Sequence, residues 1–161
     1  MNGAIRMAVK KSKPIVGWRE WVSLPDFGVA VRAKIDTGAK TSAIHVFRPH
    51  VFERDGRDYI RFTLHPRQRH KKPSVRCEAE LIERRKVTSS NGQAEERYVI
   101  RTMARIGEQH FPIELTLAKR NALTFRMLVG RQALKNRFLV DSGRSFVQGK
   151  ERPVVVSGDD E

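Results

Sequence analysis

The run Asp36-Thr37-Gly38-Ala39 sets a carboxylate, a hydroxyl, a glycine and a small side chain in four consecutive positions, directly after the apolar alternation of Val29 to Ile35. A carboxylate at a strand end is held on a rigid element. Threonine can lock the loop by hydrogen bonding, and glycine lets a ligand approach the backbone closely. Such a group can act as a base toward water, or it can simply close an Asx-type turn; the four residues alone leave both readings open. About ninety residues downstream, Met127-Leu128-Val129-Gly130-Arg131 runs an aliphatic stretch into a glycine and the start of a short helix.

Other chemistry-bearing residues point elsewhere. Asp141-Ser142-Gly143 is a second Asp-hydroxyl-Gly after an apolar run, but only some twenty residues follow Asp141, too few to build another site, so it reads as a turn. Gly38-Ala39-Lys40-Thr41 echoes a phosphate-binding loop without its spaced glycines, so no nucleotide is expected. The histidines are His45, His50, His65, His70 and His110. None sits in a His-Glu-x-x-His motif, and both close pairs are five apart, on opposite faces of a strand. No metal or other cofactor is expected. The single cysteine, Cys77, alternates with Val75 and Ala79 and reads as core.

The elements that must position these residues are strands. A period of two recurs at Val29 to Ile35, Ile60 to Leu64, Val75 to Leu81, Tyr98 to Ile106 and Phe111 to Leu117. Pro25 to Gly28 closes a first hairpin after a strand over Ile15 to Leu24. Asp55-Gly56 precedes the strand at Tyr59, and Asn91-Gly92 is the strongest hairpin signal. One short helix is expected over Arg131 to Lys135, before the apolar run Phe138-Leu139-Val140. Many short strands predict an all-β barrel or sandwich.

The chain has 161 residues, suiting one domain, with a basic arm over 1–13, a folded region over 14–148 and a tail over 149–161 that lacks a core pattern. One cysteine excludes an intrachain disulfide framework and fits a reducing, cytoplasmic compartment. No apolar run reaches membrane-spanning length, so no membrane partner is expected. The net charge of +14 calls for an acidic partner. Much of it lies in two stretches without an acid, Arg61 to Arg76 and Lys119 to Arg137.

Taken together, the strand into Asp36-Thr37-Gly38-Ala39-Lys40-Thr41-Ser42-Ala43, the intervening hairpin and Leu128-Val129-Gly130-Arg131 resemble the retropepsin-like aspartic peptidases. More closely, they resemble a bacterial family often labelled an ATP-dependent zinc protease. The resemblance covers about Lys13 to Phe146 and implies a closed retropepsin-like barrel that works as a homodimer. Each subunit would supply one catalytic Asp36, with Thr37 bracing the paired loops and the Gly38 backbone beside the substrate. Ala39, Lys40, Gly130 and Arg131 would line the substrate cleft, and Asn91-Gly92 would tip a flap. Viral members carry an acidic residue at the position of Lys40, where it pairs with the arginine at the position of Arg131; that ion pair cannot form here. Genes of this family often neighbour a ligase that adds glutamates to a ribosomal protein, which implies an acidic polypeptide substrate, a poly-glutamate tail. Two other readings stand beside it: a non-catalytic RNA- or ribosome-binding module acting through the basic surface, and a zinc-dependent protease.

Overall fold

The structure is a computed structural model that describes residues 12–68, 70–88, 92–119 and 125–156. Eleven strands are described: β1 Ile15–Val16, β2 Arg19–Leu24, β3 Val29–Ile35, β4 Ser42–His45, β5 Phe47–Arg54, β6 Arg57–Leu64, β7 Val75–Thr88, β8 Ala94–Ile106, β9 Gln109–Ala118, β10 Met127–Val129 and β11 Leu139–Val140. One α-helix is described, α1 over Arg131–Leu134, together with a 3-10 turn at Pro25–Phe27.

The strand order β2-β3-β10-β4-β9-β8 closes on itself where Ser23 of β2 meets Arg105 of β8. Closure of these six strands removes the free edges of the sheet, and a barrel this small is filled by side chains. Val22, Leu24, Val31, Ile44, Ile100, Leu115, Met127 and Val129 supply that filling. Each aliphatic side chain so buried contributes about 1.5–3 kcal/mol. β7, β6 and β5 continue the sheet past β8 as an extension outside the closed barrel. Ile60, Phe62 and Leu64 of β6 join the same core. The all-β, closed-barrel expectation with one short helix is therefore met.

Local chemistry explains the turns. In β3, Ala33 and Ile35 are buried while Arg32 and Lys34 are exposed, as the period of two requires. Proline opens the 3-10 turn after β2, and Gly28 ends it at φ 65°, a left-handed conformation that glycine adopts without strain. Asp55 and Gly56 both take positive φ and join β5 to β6, the geometry of a two-residue hairpin.

Two sequence expectations need correction. The strand expected over Ile15 to Leu24 is two strands broken at Gly17-Trp18, because β1 leaves the barrel to pair in parallel with β11, Ile15 with Leu139 and Val16 with Val140. Gly17 lies against the Arg144 backbone with no space for a Cβ. The strands β4 and β5 were not expected, since neither shows a clean alternation: Ile44, His45 and Val46 are buried in succession where the chain passes from one strand to the next.

Candidate functional site

β3 delivers Asp36 to the end of the barrel. The Asp36 N–H donates to the Val129 carbonyl of β10 at 2.8 Å, which continues the β3–β10 ladder one residue past the strand. Asp36 Oδ1 then accepts the Gly38 N–H at 3.1 Å, and the Ala39 N–H donates to the Asp36 carbonyl at 3.2 Å. The loop is thus an Asx-type turn whose carboxylate keeps Oδ2 for other work.

The second sequence feature clamps this loop. The Arg131 N–H donates to the Ala39 carbonyl at 2.8 Å and the Gln132 N–H to the Lys40 carbonyl at 3.1 Å. The Arg131 guanidinium reaches over, and Nη1 donates to the carbonyls of both Thr37 and Gly38 at 3.1 Å. Beneath them the Gly130 N–H donates to Ser42 Oγ at 2.9 Å, a buried bond. A Cβ on Gly130 would stand 2.5 Å from the Thr41 carbonyl oxygen and 2.9 Å from that of Ala39, so only glycine permits this contact. Thr37, Gly38 and Lys40 are exposed around the partly buried Asp36. Among the described residues no hydrogen bond or ion pair links a second acid to Asp36.

Of the other candidates, Gly92 is at φ 81° near the tip of the β7–β8 hairpin, while Asn91 lies outside the described residues. Tyr98 of β8 pairs with Leu117 near the end of β9, so residues 94–97 and the β7 residues opposite them project beyond the barrel. Asp141 follows β11, and Oδ1 accepts the Gly143 N–H at 3.0 Å; it closes its own turn, as expected. Cys77 is buried, and burial pushes its thiol up to about 12, so it is no nucleophile.

Sequence reasoning missed one cluster. Phe47 stacks between His45 and His65, with ring centroids 4.5 and 3.9 Å away. Arg126 stands over Phe47 and bonds His45. Spacing along one strand could not show a meeting between β4, β5 and the segment after β6. Among the described residues no three His, Cys, Asp or Glu side chains gather as a metal site.

A six-stranded closed barrel carrying Asp-Thr-Gly on a strand end, locked by a Gly-Arg before a short helix, is the retropepsin-like fold. Residues 15–151 match the family described as RimB-like, retropepsin-like aspartic endopeptidase RimB, and the chain belongs to that family. A probable alpha-L-glutamate ligase of Shewanella halifaxensis is 42% identical over 146 residues, which are 90% of this chain and 32% of that one. A protein of the same description from Parasynechococcus marenigrum is 44% identical over 141 residues, 87% of this chain and 30% of its own. The chain therefore spans about a third of the curated relatives it matches. A Legionella pneumophila protein of unknown function, known from a crystal structure, superposes with a TM-score of 0.73 at 27% identity, covering 85% of this chain and 99% of that one. The family resemblance read from the sequence is met.

Proposed function

We propose that the protein is an aspartic peptidase that acts as a homodimer on acidic polypeptides. The observation that carries this reading is the Asp36 carboxylate itself, presented at a barrel end on a loop tied at four backbone positions by α1 and Arg131, with no second acid among the described residues bonded to it. Aspartic chemistry needs two carboxylates sharing one proton, because like charges at close range cannot both ionise. A second copy supplies the second Asp36 across a two-fold axis. The exposed Thr37 and Gly38 face that copy and the substrate.

In the reaction, the ionised carboxylate takes a proton from water as the water oxygen bonds to the scissile carbonyl carbon. The protonated carboxyl gives its proton to the carbonyl oxygen. Collapse of the tetrahedral diol breaks the C–N bond, with a proton passing to the departing amine and the dyad returning to its singly protonated state. The projecting β7–β8 hairpin closes over the cleft as a flap, and Ala39, Lys40 and Gly130 border it.

The acidic substrate is supported by the +14 charge and by the longer relatives described as probable glutamate ligases, in which a region like this chain accompanies the rest of the protein. A glutamate tail on a ribosomal protein is a substrate of this kind. The test incubates wild type and Asp36→Asn with a peptide ending in a run of glutamates and with a glutamine-tailed control, and reads products by mass spectrometry. Cleavage of the acidic peptide by wild type alone is expected, weakening as salt rises. Equal cleavage by Asp36→Asn would sink the mechanism, and equal cleavage of the glutamine peptide would sink the substrate assignment. Salt-dependent RNA retention, unaffected by Asp36→Asn and without proteolysis, would favour the binding-module reading instead.

A further inference from the structure

Three buried side-chain polar atoms lack a hydrogen-bond partner among the described residues: His45 Nε2, His65 Nδ1 and Arg126 Nε. All three belong to one cluster. His45 is 1% exposed. Its Nδ1 lies 3.0 Å from Arg126 Nη1, and a guanidinium can only donate, so Nδ1 accepts and the ring proton sits on Nε2. At least two of the orphans, His45 Nε2–H and Arg126 Nε–H, are therefore donors in want of an acceptor. Among the described residues the Arg126 guanidinium makes one further hydrogen bond, from Nη2 to the His70 carbonyl at 3.4 Å, and it packs over the Phe47 ring.

The electrostatics ask for the same thing. Burial and the charge of Arg126 hold both histidines below their usual range, with Lys71 and Arg48 adding to the effect at His65; at His45 the neighbouring His65 acts in the same direction and the Lys119 backbone weakly opposes it. No acid among the described residues acts on either ring. The two acid-free basic stretches of the sequence converge here, one through His65, His70 and Lys71, the other through Arg126. A guanidinium this desolvated and facing neutral rings is costly unless an anion answers it. Two imidazoles beside a fixed cation, one with its free nitrogen protonated, make a poor metal site.

The cluster lies on the same face as Asp36. Directly paired residues in a ladder point to one side of a sheet, and Leu128 of β10 pairs with Lys34 of β3 and Ala43 of β4. The ladders continue one residue past the strands, with the His45 N–H donating to the Arg126 carbonyl and the Asp36 N–H to the Val129 carbonyl, both at 2.8 Å, so Arg126, Asp36 and His45 fall on that face as well. Ala43 and Leu128, both half-buried, form the floor between them. Arg126, just before β10, is three residues from Val129, whose carbonyl holds Asp36, about 10 Å of extended chain.

We propose that Arg126, His45 and His65 form a carboxylate-binding pocket at the far end of the cleft, which seats a glutamate side chain about three residues from the bond that is cut. The proposal rests on the acidic-peptide reading given above. Arg126 engages the carboxylate through its free Nε edge, and His45 donates Nε2–H.

The test uses the full chain carrying Asp36→Asn and labelled peptides ending in glutamates or in glutamines, with binding read by fluorescence anisotropy at fixed salt. Arg126→Gln, Arg126→Lys and His45→Gln are each expected to weaken the glutamate peptide tenfold or more and to leave the glutamine peptide within about twofold. Arg57→Gln, at the distant β5–β6 turn, should change neither beyond twofold. Wild-type affinity in Arg126→Lys, or an equal loss in Arg57→Gln, would reduce the effect to net charge and overturn the pocket. A measurement free of pocket variants guards against misfolding: the glutamate peptide should raise the His45 and His65 pKa values seen by NMR in the Asp36→Asn protein, and unmoved values would overturn it too. Cleavage by the otherwise native enzyme that Arg126 variants leave unchanged would remove the pocket and keep the peptidase. Glutamate-selective binding lost in those variants, with no cleavage by wild type, would keep the pocket and remove the peptidase.

Discussion

Arg126 Nη1 stands 3.0 Å from His45 Nδ1, and a side chain that never gives up its proton thereby fixes the tautomer of its neighbour. The consequence is a histidine held neutral inside a strongly cationic protein. Folding must keep a proton off this ring, and off His65, against an ordinary value of 6.5.

Stability should therefore depend on pH in one direction. Both folded-state values are lowered, so the unfolded chain binds more protons once the pH drops below about 6.5. The contribution is full above that value and is lost as the pH falls toward the folded-state values. Urea midpoints between pH 8 and pH 5 should fall more steeply for wild type than for the His45→Gln, His65→Gln double variant.

Gly130→Ala should damage fold and site together. The added methyl would meet the carbonyls of Thr41 and Ala39 at impossible distances, so the loop or α1 must shift. Overpacking of this kind costs about 1–3 kcal/mol. A lower melting temperature is expected, with peptide cleavage reduced at least tenfold even at temperatures where the variant is fully folded.

Arg131→Lys keeps the charge and loses the reach across two carbonyls. Because these bonds are exposed, the stability loss should be about 1 kcal/mol. The rate of cleavage should fall by tenfold or more, mainly in kcat. An unchanged kcat would mean that the Thr37-Gly38 backbone needs no brace.

Glu20 is 1% exposed and accepts the N–H groups of Gly17 at 2.6 Å, Val147 at 2.9 Å and Gln148 at 3.1 Å. Glu20→Ala strands three donors and should cost about 3 kcal/mol, read from denaturant unfolding. Hydrogen exchange at Val147 and Gln148 should quicken selectively.

Cys77 should resist a thiol reagent at neutral pH. Its thiol is buried and raised to about 12, so labelling should proceed only as fast as the core around β6 and β7 opens and become immediate in denaturant.

Period-two patterns made half of the barrel strands legible from sequence, β3, β8 and β9, together with β6 of the extension, since these bury alternate residues against one core. The Asp36 loop was legible for a different reason: a carboxylate, a hydroxyl and a glycine in register after a strand, with a Gly-Arg far downstream, is a dense local signal. What stayed hidden depends on meetings between strands. Nothing in the local sequence pattern marks Glu20, and its burial follows from the return of Val147 and Gln148 across 127 and 128 residues. The His45, His65 and Arg126 cluster was invisible for the same reason, because parity along β4 says nothing about what the segment after β6 brings beside it.

The clamp on the Asp36 loop also orders events during synthesis. Arg131 is 94 residues downstream of Thr37, and until it has left the ribosome the loop has nothing to hold its carbonyls. At about 5–20 residues per second, the Asp36 loop spends about 5–20 s outside the tunnel without its brace. The loop therefore takes its final shape only when the barrel is nearly finished, and the order of synthesis itself delays the assembly of the site.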